Sequence, residues 1–167
     1  MDLSVITKLK VGWDDALPTE HLDTWVQNLN LIQKLKQVKI PRSVLPTEAA
    51  DNNMEIIVCV DASQTIACAA AYSRTLLQDG RFGCRLIVAK NKIVNLCSIP
   101  RAELRAAAMG AALGHTVQAN FGDRVKSIKY VTDSTITMFW IRQDQRPLQV
   151  AVRNLVIEIR RLTKLED

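Results

Sequence analysis

Three acidic residues stand where alternating strands and helices would bring them together. Asp61 ends an apolar run as Val-Cys-Val-Asp, Asp133 ends another as Tyr-Val-Thr-Asp, and Glu103 lies early in a helix that begins after Pro100. Carboxylates in contact repel one another unless cations intervene. A half-open cluster of oxygen ligands favours Mg²⁺ over Ca²⁺ or zinc. Two such ions, about 4 Å apart, would activate a water to hydrolyse a phosphodiester.

Each of these acids also has a simpler interpretation. Asp61 and Asp133, both followed closely by serine, could be turn or helix-cap residues that accept hydrogen bonds from free backbone N–H groups. Glu103 could simply favour the positive end of its helix. Their joint placement, at the ends of two strands and the start of one helix, favours a shared site.

The residues around these acids indicate an α/β fold. A short β-branched run followed by two further strand-like segments predicts an antiparallel meander, with a hairpin turn at residues 78–80 between the second and third strands. A helix must then cross over to a fourth strand parallel to the first, which gives a mixed sheet with flanking helices. The predicted strands are Glu55–Val60, Thr65–Leu77, Phe82–Val94 and Lys126–Thr132.

The predicted helices lie between and after these strands, at Arg101–Ala119, Asp133–Arg142 and Leu148–Leu165. On the first of them, Ala107, Gly110 and Gly114 share the face of Glu103, at offsets typical of helix neighbours. A face without bulky side chains lets a helix approach a sheet closely. We therefore expect this helix to bring Glu103 towards the two aspartates.

The first 48 residues predict a helical connecting segment. Apolar residues recur every three or four positions from Glu20 to Gln37, which is the pattern of an amphipathic helix. Pro41, Pro46 and the polar stretch that follows predict a boundary, so that residues 49–167 form the second domain.

Composition limits the function classes. The cysteines form no C-x-x-C pair and no histidine lies near them in sequence, which excludes a zinc module and predicts that the thiols are core residues. No apolar stretch reaches the roughly 18 residues of a membrane span. The N-terminus lacks the pattern of a secretory leader, which predicts an intracellular protein, cytoplasmic or nuclear. The net charge of +5 gives weak support for a polyanionic partner.

A specific family resemblance rests on an ordered set of motifs. The sequence resembles the ribonuclease H domain of BEL/Pao-type retrotransposon polyproteins, and its first 48 residues resemble the segment that joins the reverse transcriptase to that domain. The motifs of the domain are Val-Cys-Val-Asp61-Ala-Ser63, Ile87-Val-Ala-Lys90, Ile99-Pro-Arg-Ala-Glu103-Leu, Thr132-Asp133-Ser134 and Trp140-Ile141. Those of the upstream segment are Gly12-Trp-Asp-Asp15, Leu17-Pro18, Trp25 and Ile40-Pro-Arg42.

The resemblance implies cleavage of RNA in RNA–DNA hybrids. The family's catalytic and metal-binding carboxylates map onto Asp61, Glu103 and Asp133, with Mg²⁺ or Mn²⁺ as cofactor and two ions in the active enzyme. Such hybrids would be read through shape, phosphates and the 2′-OH. Residues that flank the site and could touch phosphate or ribose are Ser63, Arg101 and Ser134, for each of which a surface or cap role is the alternative.

The sequence also departs from the family pattern. The family continues into a last strand and an acidic segment that supplies a fourth carboxylate, so we expect a C-terminally truncated domain without that strand. Glu166 or Asp167 is the alternative fourth ligand.

Two functions follow. One is a metal-dependent retroelement ribonuclease H. The other is an inactive, domesticated remnant that binds nucleic acid, the reverse transcriptase region or another protein through the N-terminal helix or an exposed sheet edge.

Overall fold

The computed structural model describes residues 11–12, 14–94, 98–143 and 147–164. The chain divides between Arg42 and Ser43 into two compact units. Among the helices of the described residues, none is long and apolar enough to cross a membrane.

The first unit contains helix α1, Thr19–Lys34, followed by a 3₁₀ turn at Leu35–Gln37. Pro18 precedes the helix, and its carbonyl accepts the backbone N–H groups of His21 and Leu22. The predicted amphipathic helix is therefore confirmed. No residue of α1 is buried, and Leu22 is 44% exposed.

The second unit is built on a four-stranded mixed sheet with the strand order β3-β2-β1-β4. β1 pairs antiparallel with β2 and β2 antiparallel with β3, whereas β4 runs parallel to β1. The predicted meander, the parallel fourth strand and the α/β class are confirmed. The strands are β1, Met54–Ala62, β2, Ile66–Leu76, β3, Phe82–Ile93, and β4, Val125–Val131.

Three helices flank this sheet, at α2, Ile99–Phe121, α3, Thr135–Arg142, and α4, Val150–Leu162. α2 is the crossover between β3 and β4, and it packs on β1, β2 and β4. Its alanines and leucines bury one side of the helix, while the alternate residues of β1 supply the facing apolar layer. α4 packs on α2 through the buried residues Val152, Val156 and Ile159.

The segment from Ser43 to Ala50 lies with the sheet. Val44 and Leu45 pack against the core, and the buried Ser73 hydroxyl donates to the Val44 carbonyl at 2.5 Å. The Ala50 N–H donates to the Leu76 carbonyl at 2.9 Å. The division therefore falls before Ser43, whereas the sequence had placed it after Glu48, because polar composition alone does not reveal these contacts.

The cysteines correct another expectation. Cys59 and Cys84 are exposed and Cys68 is half-buried, so the prediction that the thiols are core residues is wrong for the first two. Neighbouring side chains of a strand point to opposite faces, and Cys59 lies between the buried Val58 and Val60, on the other face. Cys97 lies outside the described residues, as do Glu166 and Asp167.

This placement predicts a pattern of thiol reactivity. In the folded protein, N-ethylmaleimide is expected to alkylate Cys59 and Cys84 rapidly and Cys68 more slowly, because alkylation requires an accessible thiol. Peptide mass spectrometry after brief labelling measures each rate, and labelling in denaturant provides the reference. Protection of Cys59 and Cys84 until the protein unfolds would contradict the exposure of these two thiols in the folded protein.

Candidate carboxylate site

The parallel pairing of β1 and β4 brings two carboxylates to one rim of the sheet. The last paired residues of these strands are Cys59 and Val131. Asp61 and Asp133 each follow two positions later, so they lie at equivalent points beyond the β1–β4 pairing; Asp61 is still within β1 and pairs with Cys68 of β2, whereas Asp133 lies past the end of β4. Both residues are exposed. The carboxyl ends of neighbouring parallel strands are where α/β proteins commonly bind ligands.

Glu103 reaches the same rim from α2. The Ser134 hydroxyl donates a hydrogen bond of 2.6 Å to Glu103 Oε2, and Ser134 directly follows Asp133 in the chain. Glu103 itself is half-buried. The helix that carries Glu103 is therefore joined by a side chain to the segment between β4 and α3.

Two glycines allow α2 to lie this close to the sheet. A Cβ atom at Gly110 would overlap Cγ1 of Val60 in β1, and one at Gly114 would overlap the hydroxyl of Tyr130 in β4. Both glycines are buried. The predicted close approach along this helix face is confirmed.

The aspartates keep most of their oxygen lone pairs available. Asp61 Oδ1 accepts the Ala62 N–H at 2.7 Å. Asp133 is the residue before the N-cap of α3, and that cap is Ser134. The capping interpretation therefore applies to the serine next to the acid.

The donor atoms fit a magnesium-type ion in their chemistry, because they are carboxylate oxygens, and the two aspartates lie at an exposed rim. Within the described ranges, no three His, Cys, Asp or Glu side chains are grouped closely enough to hold an ion. Asp61 accepts a hydrogen bond from its own strand, and Glu103 accepts one from Ser134.

The predicted substrate residues have different surroundings. Ser63 is exposed in the turn between β1 and β2, where its hydroxyl accepts the Thr65 and Ile66 N–H groups at 3.2 and 3.1 Å. Arg101 is exposed at the start of α2 and donates to Gln149 Oε1. Ser134 is only 6% exposed, which matches the cap alternative.

Two residues near the site were missed by the sequence interpretation. Thr137 is fully buried and hydrogen-bonds Ser134 through both its N–H and its hydroxyl. Its position three residues after a cap serine was an available signal. Gln149, the partner of Arg101, gave no local signal.

A surface groove near this end of α2 is lined by Arg101, Trp140, Pro147, Leu148, Gln149 and Val152.

A three-stranded meander, a parallel fourth strand and flanking helices define an α/β domain of the ribonuclease H-like class. The model of the family described as "Pao retrotransposon-like RNaseH-like domain" matches residues 3–134. The chain belongs to this family, as its motifs predicted. The match includes Asp61, Glu103, Asp133 and Ser134.

No curated protein matches the chain. Among solved structures, the chain is similar to the RNase H1 of the halophilic archaeon Halobacterium salinarum NRC-1, with 15% identity and a TM-score of 0.40. That similarity covers 68% of this chain and 77% of the archaeal one.

Proposed function

We propose that this protein hydrolyses the RNA strand of RNA–DNA hybrids, using divalent metal held by Asp61, Glu103 and Asp133. The observation that carries the proposal is the common rim: parallel pairing brings the two aspartates to equivalent strand ends, and a 2.6 Å hydrogen bond joins Glu103 to the residue after Asp133. Three carboxylates on three separate elements suit a cation better than a cap or a turn.

The chemistry of the donors favours Mg²⁺, or Mn²⁺ as its substitute. Asp61, Glu103 and Asp133 would hold such ions, which would supply activation of a water and stabilisation of the leaving 3′ oxygen of a phosphodiester. Asp61 and Asp133, both exposed, contribute oxygens that solvent and substrate can reach. Glu103, half-buried and hydrogen-bonded, contributes a carboxylate of restricted orientation.

The proposed substrate class rests on residues that are able to contact the sugar-phosphate backbone of a nucleic acid. Arg101 and Trp140 line one groove, so a cation and an aromatic ring lie within reach of a nucleic acid at the start of α2. Ser63 lies in the exposed turn after Asp61. Hybrid duplexes are recognised by shape, phosphates and the 2′-OH, which such residues contact without reading base sequence.

We place the activity in the cytoplasm or nucleus.

The test is cleavage of an end-labelled RNA–DNA hybrid in Mg²⁺ or Mn²⁺, with double-stranded RNA and double-stranded DNA as competing substrates. We expect products from the RNA strand of the hybrid, which disappear when metal is chelated and in Asp61→Asn. Because Asp61 is exposed, that variant should remain folded, as judged by circular dichroism. Equal products from the parent and the variant would reject the proposal.

A second candidate is an inactive binding module. It is favoured by the absence, within the described part of the chain, of three ligands grouped around an ion position. Either the exposed apolar residues of α1 or the edge strands of the described sheet, β3 and β4, would then contact a protein such as the reverse transcriptase region. Hybrid binding without any cleavage would favour this function.

A further inference from the structure

The hydroxyl of Ser134 lies at the junction of α2 and α3 and has three hydrogen-bond partners. It bonds Glu103 Oε2 at 2.6 Å, the Thr137 N–H at 3.1 Å and the Thr137 hydroxyl at 2.9 Å. Ser134 is 6% exposed and Thr137 is fully buried. Water therefore competes little for these bonds.

The directions of the bonds follow from the number of protons. A serine hydroxyl has one proton and two acceptor lone pairs, whereas an ionised carboxylate only accepts. The Ser134 hydroxyl therefore points its single proton to Glu103 Oε2, its nearest acceptor, with the Thr137 hydroxyl as a second acceptor, and its oxygen accepts the Thr137 N–H. The proton and one lone pair of this hydroxyl are therefore engaged within the protein.

We propose that Ser134 is a positioning residue, which fixes the carboxylate of Glu103 for metal binding. Thr137 of α3 donates its N–H to the serine oxygen, and the serine hydroxyl donates to Glu103 Oε2, which leaves Glu103 Oε1 as the oxygen that would bind an ion. This inference rests on the proposed function, and it replaces the substrate-contact role that the family resemblance suggested for Ser134.

The physical gain is preorganisation. A glutamate side chain has several rotatable bonds, and restricting it before the ion arrives removes an entropic cost from binding. The bond to a carboxylate is also of the stronger, charge-assisted kind. Loss of a hydrogen-bond partner behind a metal ligand typically costs about 10–100-fold in metal affinity.

The test compares Ser134→Ala with Thr137→Val, which is the matched control. Both variants damage the same buried network and are expected to lower the thermal midpoint. Only Ser134→Ala removes the bond to Glu103, so it alone should weaken Mn²⁺ binding, by about 10–100-fold. Electron paramagnetic resonance of free Mn²⁺ measures that binding directly, without any substrate. Ser134→Thr, which keeps the hydroxyl, should recover most of the affinity.

The outcomes separate this inference from the function on which it rests. A parent protein that binds no Mn²⁺ would contradict both. A parent that binds Mn²⁺, with Ser134→Ala binding equally well, would overturn the positioning role alone. Equal losses of affinity in Ser134→Ala and Thr137→Val would also overturn it, because general damage to the network would explain them.

The metal-free protein offers an independent measurement. In a double-mutant cycle of Ser134→Ala and Glu103→Ala, urea unfolding should give non-additive effects, because the two side chains share one hydrogen bond. In the Glu103→Ala background, Ser134→Ala should also leave Mn²⁺ affinity nearly unchanged. Additive effects in both experiments would show that the two residues act separately.

Discussion

Asp133→Asn is expected to lower hybrid cleavage by roughly 10²–10³-fold, the range seen when one strong electrostatic group is removed from an active site. The amide keeps the shape of the side chain but loses the charge that a divalent ion requires. Asp133 is exposed and precedes the cap of α3 without being the cap itself. The thermal midpoint should therefore change little, while Mg²⁺ titration followed by NMR should show weaker binding.

Asp123→Asn is the matched control for this substitution. Asp123 is also exposed, and it lies before β4, at the end of that strand opposite to Asp133. The same change of charge there should leave cleavage and metal binding within a factor of about two, because exposed charges separated by more than a Debye length are largely screened. Similar losses in the two variants would mean that net charge, rather than a local carboxylate, controls activity.

Gly110→Leu is expected to have the largest effect on stability. A Cβ atom at this position overlaps Val60 Cγ1, and Val60 belongs to a strand with neighbours on both sides. The helix must move away from β1, at a cost of about 1–3 kcal/mol or more in the free energy of unfolding. Leucine has a better helix propensity than glycine, so the loss cannot be assigned to the helix itself. Urea unfolding measures it.

The control for this prediction lies on the same helix. Ala112 is exposed, so Ala112→Leu adds the same side chain without meeting the sheet and should change stability by no more than about 0.5 kcal/mol. Gly110→Leu should also weaken Mn²⁺ binding, since a displaced α2 moves Glu103 relative to Asp61. Equal stability of the two variants would show that α2 does not depend on close packing at Gly110.

Much of the fold could be predicted from local sequence. The β-branched run ending at Asp61, and the turn at residues 78–80, where Gly80 has a φ of +82°, depend on residues close together in the chain. The small residues of α2 likewise predicted the close approach that Gly110 now shows. The rim shared by Asp61 and Asp133 followed from the predicted parallel pairing of the first and fourth strands, because parallel neighbours end at the same edge of a sheet.

The sequence by itself determined the elements, the mixed sheet and the family, because periodicity, turn residues and motifs are properties of neighbouring positions. Only the tertiary structure decided which face of the strands is covered, and hence that Cys59 and Cys84 are exposed. It also decided that Ser134 donates to Glu103, a residue 31 positions away. Such hydrogen-bond partners depend on where separate helices and strands pack together, and the same spacing between two residues in the chain is compatible with several packing arrangements.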